Sequence, residues 1–200
     1  SGWDNNEPEI ERLESASYIP ARLQVLSEAF PGERLVIPAG QPKVRNNDCD
    51  YAFRPDSAFS YYTGLGQDYE AGAVLVLDPN EDGTHTPMLF VAPRADHYTQ
   101  DFFKDPHYGE YWVGPRAGLK EMTGIETHDI AQLDDMLGKD VGTENGAVQL
   151  RVIRETDPQI TAIVNELREG HGFPDEADNT VRDDKLHEFA SEARMEKDDF

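Results

Sequence analysis

The sequence is poor in cysteine, in basic residues and in long apolar runs, and each shortage excludes a class of function. Its single cysteine among 200 residues is Cys49, so no internal disulfide can form and the cysteine framework of a small secreted domain is missing. Cys49 lies between Asp48 and Asp50, whose carboxylates disfavour a thiolate, and it is not read as a nucleophile. Lys and Arg number 18 against 40 Asp and Glu, a formal charge of -22. A phosphate backbone needs neutralising cations, so nucleic acid is not expected as a partner, nor is an anionic membrane surface. No apolar run approaches the ~20 residues of a transmembrane helix, and no apolar signal-peptide stretch opens the chain. A soluble, cytoplasmic protein is expected.

Catalytic signatures are missing as well. The histidines are His85, His97, His107, His128, His171 and His187; no pair has the spacing of two ligands on one helix, and there is no H-E-x-x-H. Asp48 and Asp50 could share one face of a strand, but such pairs arise by chance in so acidic a chain. No G-x-S-x-G elbow is present, and Ser57 and Ser60 have no histidine nearby in sequence to act as base. Gly64-Leu65-Gly66 is a fragment of a glycine-rich loop and reads as a turn. Arg94 and Arg116 could bind a carboxylate or phosphate, though ion pairing within the chain is the simpler role. Neither a complete catalytic site nor a metal site is expected here.

What is present has the pattern of an α/β domain. Residues 1–17 read as a polar tail in which Trp3 is the main apolar exception. A helix follows, with Pro20 in its first turn, Ile19, Leu23, Leu26 and Phe30 at helical spacing, and Pro31-Gly32 as its stop. Arg34-Leu35-Val36-Ile37 predicts a core strand. Residues 39–50 are loop-like, and Asp56 or Ser57 caps a short helix that Thr63-Gly64 ends. Residues 73–77, apolar on both faces, predict a central strand that pairs with residues 88–92 as an antiparallel hairpin. Residues 93–118 form a long irregular stretch rich in aromatic side chains. Leu119 opens a short helix, Ile130, Leu133 and Leu137 mark another, and Val148, Leu150 and Ile153 alternate as a strand. Asp157-Pro158 starts a helix whose buried face is Ile160, Ile163, Val164 and Leu167. Residues 169–182 read as an acidic linker. Residues 183–200 start an amphipathic helix that reaches Phe200 with neither cap nor stop signal, as at a boundary inside a longer protein.

Three stretches are more specific. The run from Gly32 through Val36-Ile37-Pro38-Ala39-Gly40 leads to Arg45-Asn46-Asn47-Asp48, and then to Tyr51-Ala52-Phe53-Arg54 and Asp56-Ser57-Ala58-Phe59-Ser60-Tyr61-Tyr62-Thr63-Gly64. Later come Tyr111-Trp112-Val113-Gly114-Pro115-Arg116-Ala117-Gly118 and Ser191-Glu192-Ala193-Arg194-Met195. In this order they resemble the N-terminal domain of aminopeptidase P, the Xaa-Pro aminopeptidase family. The resemblance implies a mixed β-sheet flanked by helices, creatinase N-terminal-domain-like and ribonuclease H-like, over residues 18–168.

It also implies a two-domain parent that removes an N-terminal residue preceding proline. Its C-terminal catalytic domain would hold two manganese ions on ligand motifs that this chain does not contain. The chain alone is therefore expected to be inactive and to hold no cofactor of its own. Its partners would be that catalytic domain, other copies in a dimer or tetramer, and a peptide with proline second. Matched by motif, Asp48 and Trp112 would bind substrate at the mouth of the site in the oligomer. Tyr62 departs from the family's usual leucine, and no residue around Arg168-Glu169-Gly170 can be matched to the arginine that some relatives present to substrate. A proline dipeptidase with the same front domain, or a free-standing interaction module, are the alternatives.

Overall fold

Apolar runs of four or five residues are too short to make a helix but suit a strand covered on both faces, and two of them form the middle of the sheet. The computed structural model describes residues 14–42, 53–67, 69–93, 118–142, 148–171 and 176–198. Strand β1, Glu33–Pro38, is buried at every position. It pairs antiparallel with β2, Val74–Pro79, placing Leu35 opposite Leu77 and Ile37 opposite Leu75. Strand β3, His85–Val91, returns antiparallel on β2 as the expected hairpin, with Leu75 opposite Leu89. Strands β4, Glu126–Asp129, and β5, Gln149–Val152, close the two edges, parallel to β3 and β1 respectively. The order is β4-β3-β2-β1-β5. β4 was not anticipated. Its sequence Glu-Thr-His-Asp has no apolar alternation, and as an edge strand it needs little; His128 stacks on Phe90 with ring centroids 5.3 Å apart.

The two-residue period of the strands sorts the core into two layers. Leu35, Ile37, Leu75, Leu77, Leu89 and Val91 face helices α1 (Ile19–Ala29), α2 (Ser57–Thr63), α3 (Leu119–Thr123) and α6 (Glu176–Asp198). Val36, Val74, Val76, Phe90, Leu150 and Val152 face α4 (Leu133–Gly138) and α5 (Pro158–Gly170). A one-residue slip of register would send every strand side chain to the wrong layer, so the pairing is strongly specified.

Helix ends follow the capping chemistry written in the sequence. Asp56 accepts a hydrogen bond from the Ala58 N–H at the start of α2, and Gly64 ends it in the left-handed region at φ 79°. Asp157 accepts from the Gln159 and Ile160 N–H groups at the start of α5, satisfying donors that a helix start leaves open.

Two boundaries differ from expectation. A 3-10 turn at Glu14–Ser17 reaches into the stretch read as tail, and Ala16 within it is buried. Helix α6 begins at Glu176, so residues 176–182, read as linker, are helical. Composition misled because the charges there are not all solvated: Arg182 pairs with Glu33, and next to it Asp183 pairs with Arg168, itself in the last turn of α5.

Leu75, with no exposed surface, should lose about 2–5 kcal/mol on truncation to alanine. Val25, half exposed on the outer side of α1, should lose no more than about 0.5 kcal/mol. Urea unfolding of both variants, followed by circular dichroism, measures the contrast; equal losses would contradict this core assignment.

Candidate functional site

Strands β1, β3, β4 and β5 run in one direction and β2 runs against them. Four C-terminal strand ends therefore gather at one end of the sheet, the place where open α/β folds carry their sites. Pro38, Val74 and Phe90 are level there. The chain leaves β1 through Ala39 to Pro42 and resumes at Phe53; it leaves β3 through Ala92 and Pro93 and resumes at Gly118. The segments carrying Asp48 and Trp112 thus depart from the same end of the sheet, two strands apart, about 10 Å at the usual strand spacing. Asp48 and Trp112 themselves lie outside the described residues, as do Cys49, Arg94 and Arg116.

The roots of the first segment are tightly bonded. Past the end of β1, the Ala39 N–H donates to the Ala73 carbonyl and the Gly72 N–H to the Gly40 carbonyl, each at 2.8 Å, while the Asp56 N–H donates to the Ala39 carbonyl at 2.8 Å. Departure and return are therefore pinned to the same residue. Gly40 has φ 95°, and a Cβ there would sit 3.3 Å from both Cγ2 and O of Thr156. Glycine is required for conformation and for approach. Gln41 Nε2 donates to Asp157 Oδ2 at 3.3 Å, and Thr156 Oγ1 to Asp56 Oδ2 at 3.4 Å. The aspartates that cap α2 and α5 thus also tie the strand ends together. This frame can hold loops in place; it contains no nucleophile set against a base.

Among the described residues, no three His, Cys, Asp or Glu side chains come together as a metal would need. Manganese has no ligand set in them. His85 is buried between the Ser27 hydroxyl and the Glu33 carbonyl, 2.7 Å from each, and His128 is occupied by Phe90.

The charges that matter for the fold were not read from the sequence. Glu33 accepts hydrogen bonds from Arg151 Nε at 2.7 Å and Arg182 Nε at 2.9 Å, with Arg182 Nη2 on its second oxygen. On the other face Arg34 donates to Asp78 at 2.8 Å and to the Leu137 and Lys139 carbonyls at 2.9 and 2.6 Å. The available signal was an ionic residue inside an apolar strand, such as Arg151 between Leu150 and Val152, which demands a buried partner. The partner's identity had no signal, since Glu33 and Arg151 are 118 positions apart. Arg168, which could not be matched by resemblance, is buried against Asp183. Tyr62 fills the core edge-on to Tyr61; burial first, and the neighbouring Tyr61, hold its phenol well above the ordinary value.

Escherichia coli aminopeptidase P, solved with the inhibitor Pro-Leu, superposes with a TM-score of 0.57 at 24% identity, over 78% of this chain and 33% of that one. The fold is therefore that of an α/β domain with a mixed five-stranded sheet flanked by helices. The family model described as the aminopeptidase P N-terminal domain matches residues 19–148, and the chain belongs to that family. Xaa-Pro aminopeptidase 1 of Streptomyces coelicolor is 36% identical across 100% of this chain, and Xaa-Pro aminopeptidase 2 of the same organism 32% identical across 99%. The chain spans 37% and 38% of their lengths.

Acid should destabilise this fold in two stages. Burial holds the His85 pKa below its ordinary 6.5, against the pull of the Glu33 carbonyl and the Asp78 and Glu33 charges. Burial alone would raise Glu33, but hydrogen bonds from Arg182 and Arg151, and their charges, hold it below its ordinary 4.5. Each group is protonated in the unfolded chain at a higher pH than in the folded one, so stability is complete above the unfolded pKa and falls as pH drops below it. Loss should begin below pH 6.5 through His85 and continue below 4.5 through Glu33. Urea unfolding across pH 7 to 3 measures both stages. His85→Gln should flatten the first and Glu33→Gln the second; unchanged slopes would contradict the assignment. Separately, Gly40→Ala should cost more than the ~1 kcal/mol by which left-handed strain alone penalises an ordinary residue.

Proposed function

We propose that this chain serves a longer, cytoplasmic Xaa-Pro aminopeptidase as its non-catalytic front domain, shaping access to a site built elsewhere. The observation that carries this is the common departure point of the segments bearing Asp48 and Trp112, at one end of the sheet and on a bonded frame. Two such segments can furnish one mouth. A carboxylate there attracts the free α-amino group of an incoming peptide, and an aromatic face packs against the proline that follows. The chemistry belongs to the catalytic domain, with its two manganese ions, in the length that the relatives have beyond the matched part. Other copies in a dimer or tetramer complete the mouth. No helix among the described residues is long and apolar enough to cross a membrane.

The test is steady-state kinetics of the full-length protein on peptides with proline second. Asp48→Asn and Trp112→Ala should each raise KM about tenfold, equivalent to about 1.4 kcal/mol of lost binding, with kcat changed far less. The 200-residue chain alone should release no N-terminal residue, with or without added manganese. Release by the chain alone, or variants that leave KM unchanged, would overturn the reading.

A further inference from the structure

Helix α6, 23 residues long, spans about 34 Å at 1.5 Å per residue and is strongly polar. Among its described side chains only Leu186 and Ala190 are buried apolar groups, with Phe189 packed edge-on against Phe30, ring centroids 6.2 Å apart. So thin an apolar stripe is a weak hold for a helix this long. Its polar contacts are another matter, because they reach β1, β5, α5 and the residue that ends α1.

Arg182 donates both ways into Glu33, at the start of β1, and its guanidinium lies 4.8 Å over the ring of Phe30, at the end of α1. Asn179 accepts from Arg151 of β5 at 2.9 Å, and that same arginine bonds Glu33. Asp183 accepts from Arg168 of α5 through both oxygens, at 3.2 and 2.9 Å. Asp183 also accepts from the Val152 N–H at 3.0 Å. The Ile153 N–H turns inward to β1, on the Val36 carbonyl, so the Val152 N–H points outward from the sheet edge. Asp183 therefore takes the donor that an added strand would need. Glu33 is 8% exposed, and Asp183, Arg151 and Arg168 are each 2% exposed. Ion pairs this deep are little screened by salt, and removing one partner strands the other in an apolar surround.

We propose that α6 is a strut locked into this domain by two buried carboxylates, Glu33 from below and Asp183 from the helix itself, rather than a tether leaving it. Whatever the longer protein attaches beyond the helix takes its orientation from β1 and β5. The attachment rests on the function proposed above; the lock does not. It stands on contacts within this chain.

Amide hydrogen exchange read by mass spectrometry on the full-length protein tests the lock. In the native protein, residues 178–191 should exchange as slowly as β1 and β2. Glu33→Gln should speed exchange across 178–191 at least tenfold while β2 and β3 keep their protection. Should that variant fail to fold, Arg182→Met, a milder change at a half-buried position, should give the same local acceleration. The exposed control Glu188→Gln should leave the helix unchanged. Fast exchange of α6 in the native protein, or no acceleration in a folded lock variant, overturns the proposal. Absence of X-Pro activity from the native full-length protein, with α6 protected, would instead strike only the function proposed above.

Discussion

Strand β1 opens with two buried charges of opposite sign, and the arrangement of both helical layers depends on how they are discharged. Successive strand residues point to opposite faces, so Glu33 meets the layer of α6 while Arg34 meets the layer of α4. Glu33 collects Arg151 and Arg182. Arg34 collects Asp78 and closes the carbonyl end of α4 through Leu137 and Lys139, groups that a helix end leaves without internal partners. Beyond this pair, Leu35, Val36 and Ile37 continue the alternation with apolar side chains. One register thus fixes an ionic anchor and an apolar contact for each layer. Such pairs contribute little net stability over apolar residues of equal size; what they supply is discrimination, since a misplaced layer leaves a charge unpaired.

The two ends of the sheet have separate duties. The end where β1 begins holds the ion pairs of Glu33 and the buried His85. The opposite end carries the roots of the long segments, tied by Gly40, Gln41, Asp56, Thr156 and Asp157. Loops that bind are most useful on a base that does not move, and the hydrogen bonds at Ala39, Gly40 and Asp56 supply that base. The aspartates there are helix caps with donors already assigned, which suits a frame more than a reacting centre. The division suits the function proposed above, in which the chemistry lies outside this chain.

Much of this was legible in the sequence because the relevant signals are local. Pro20, Asp56, Gly64 and Asp157-Pro158 marked helix ends that the structure confirms, and the apolar runs at 34–37 and 73–77 gave the central strands. The hairpin of β2 with β3 followed from the short polar turn at residues 78–83. What stayed hidden depends on distant partners. β4 carries no apolar pattern and exists because β3 offers an open edge. The acidic stretch up to Asp183 looks solvated until Arg168 is placed beside Asp183 and Glu33 beside Arg182. Asp48 and Trp112 came from motif resemblance alone, and the structure contributes only the common origin of the segments that carry them.

In the proposed function these two segments, one after β1 and one after β3, face the same peptide. Photo-crosslinking tests it most directly. A proline-containing peptide with a photoreactive group on its first residue, bound to the full-length protein and irradiated, should label residues 43–52 and 94–117 of this domain. Labelling that never falls in either segment would contradict the account.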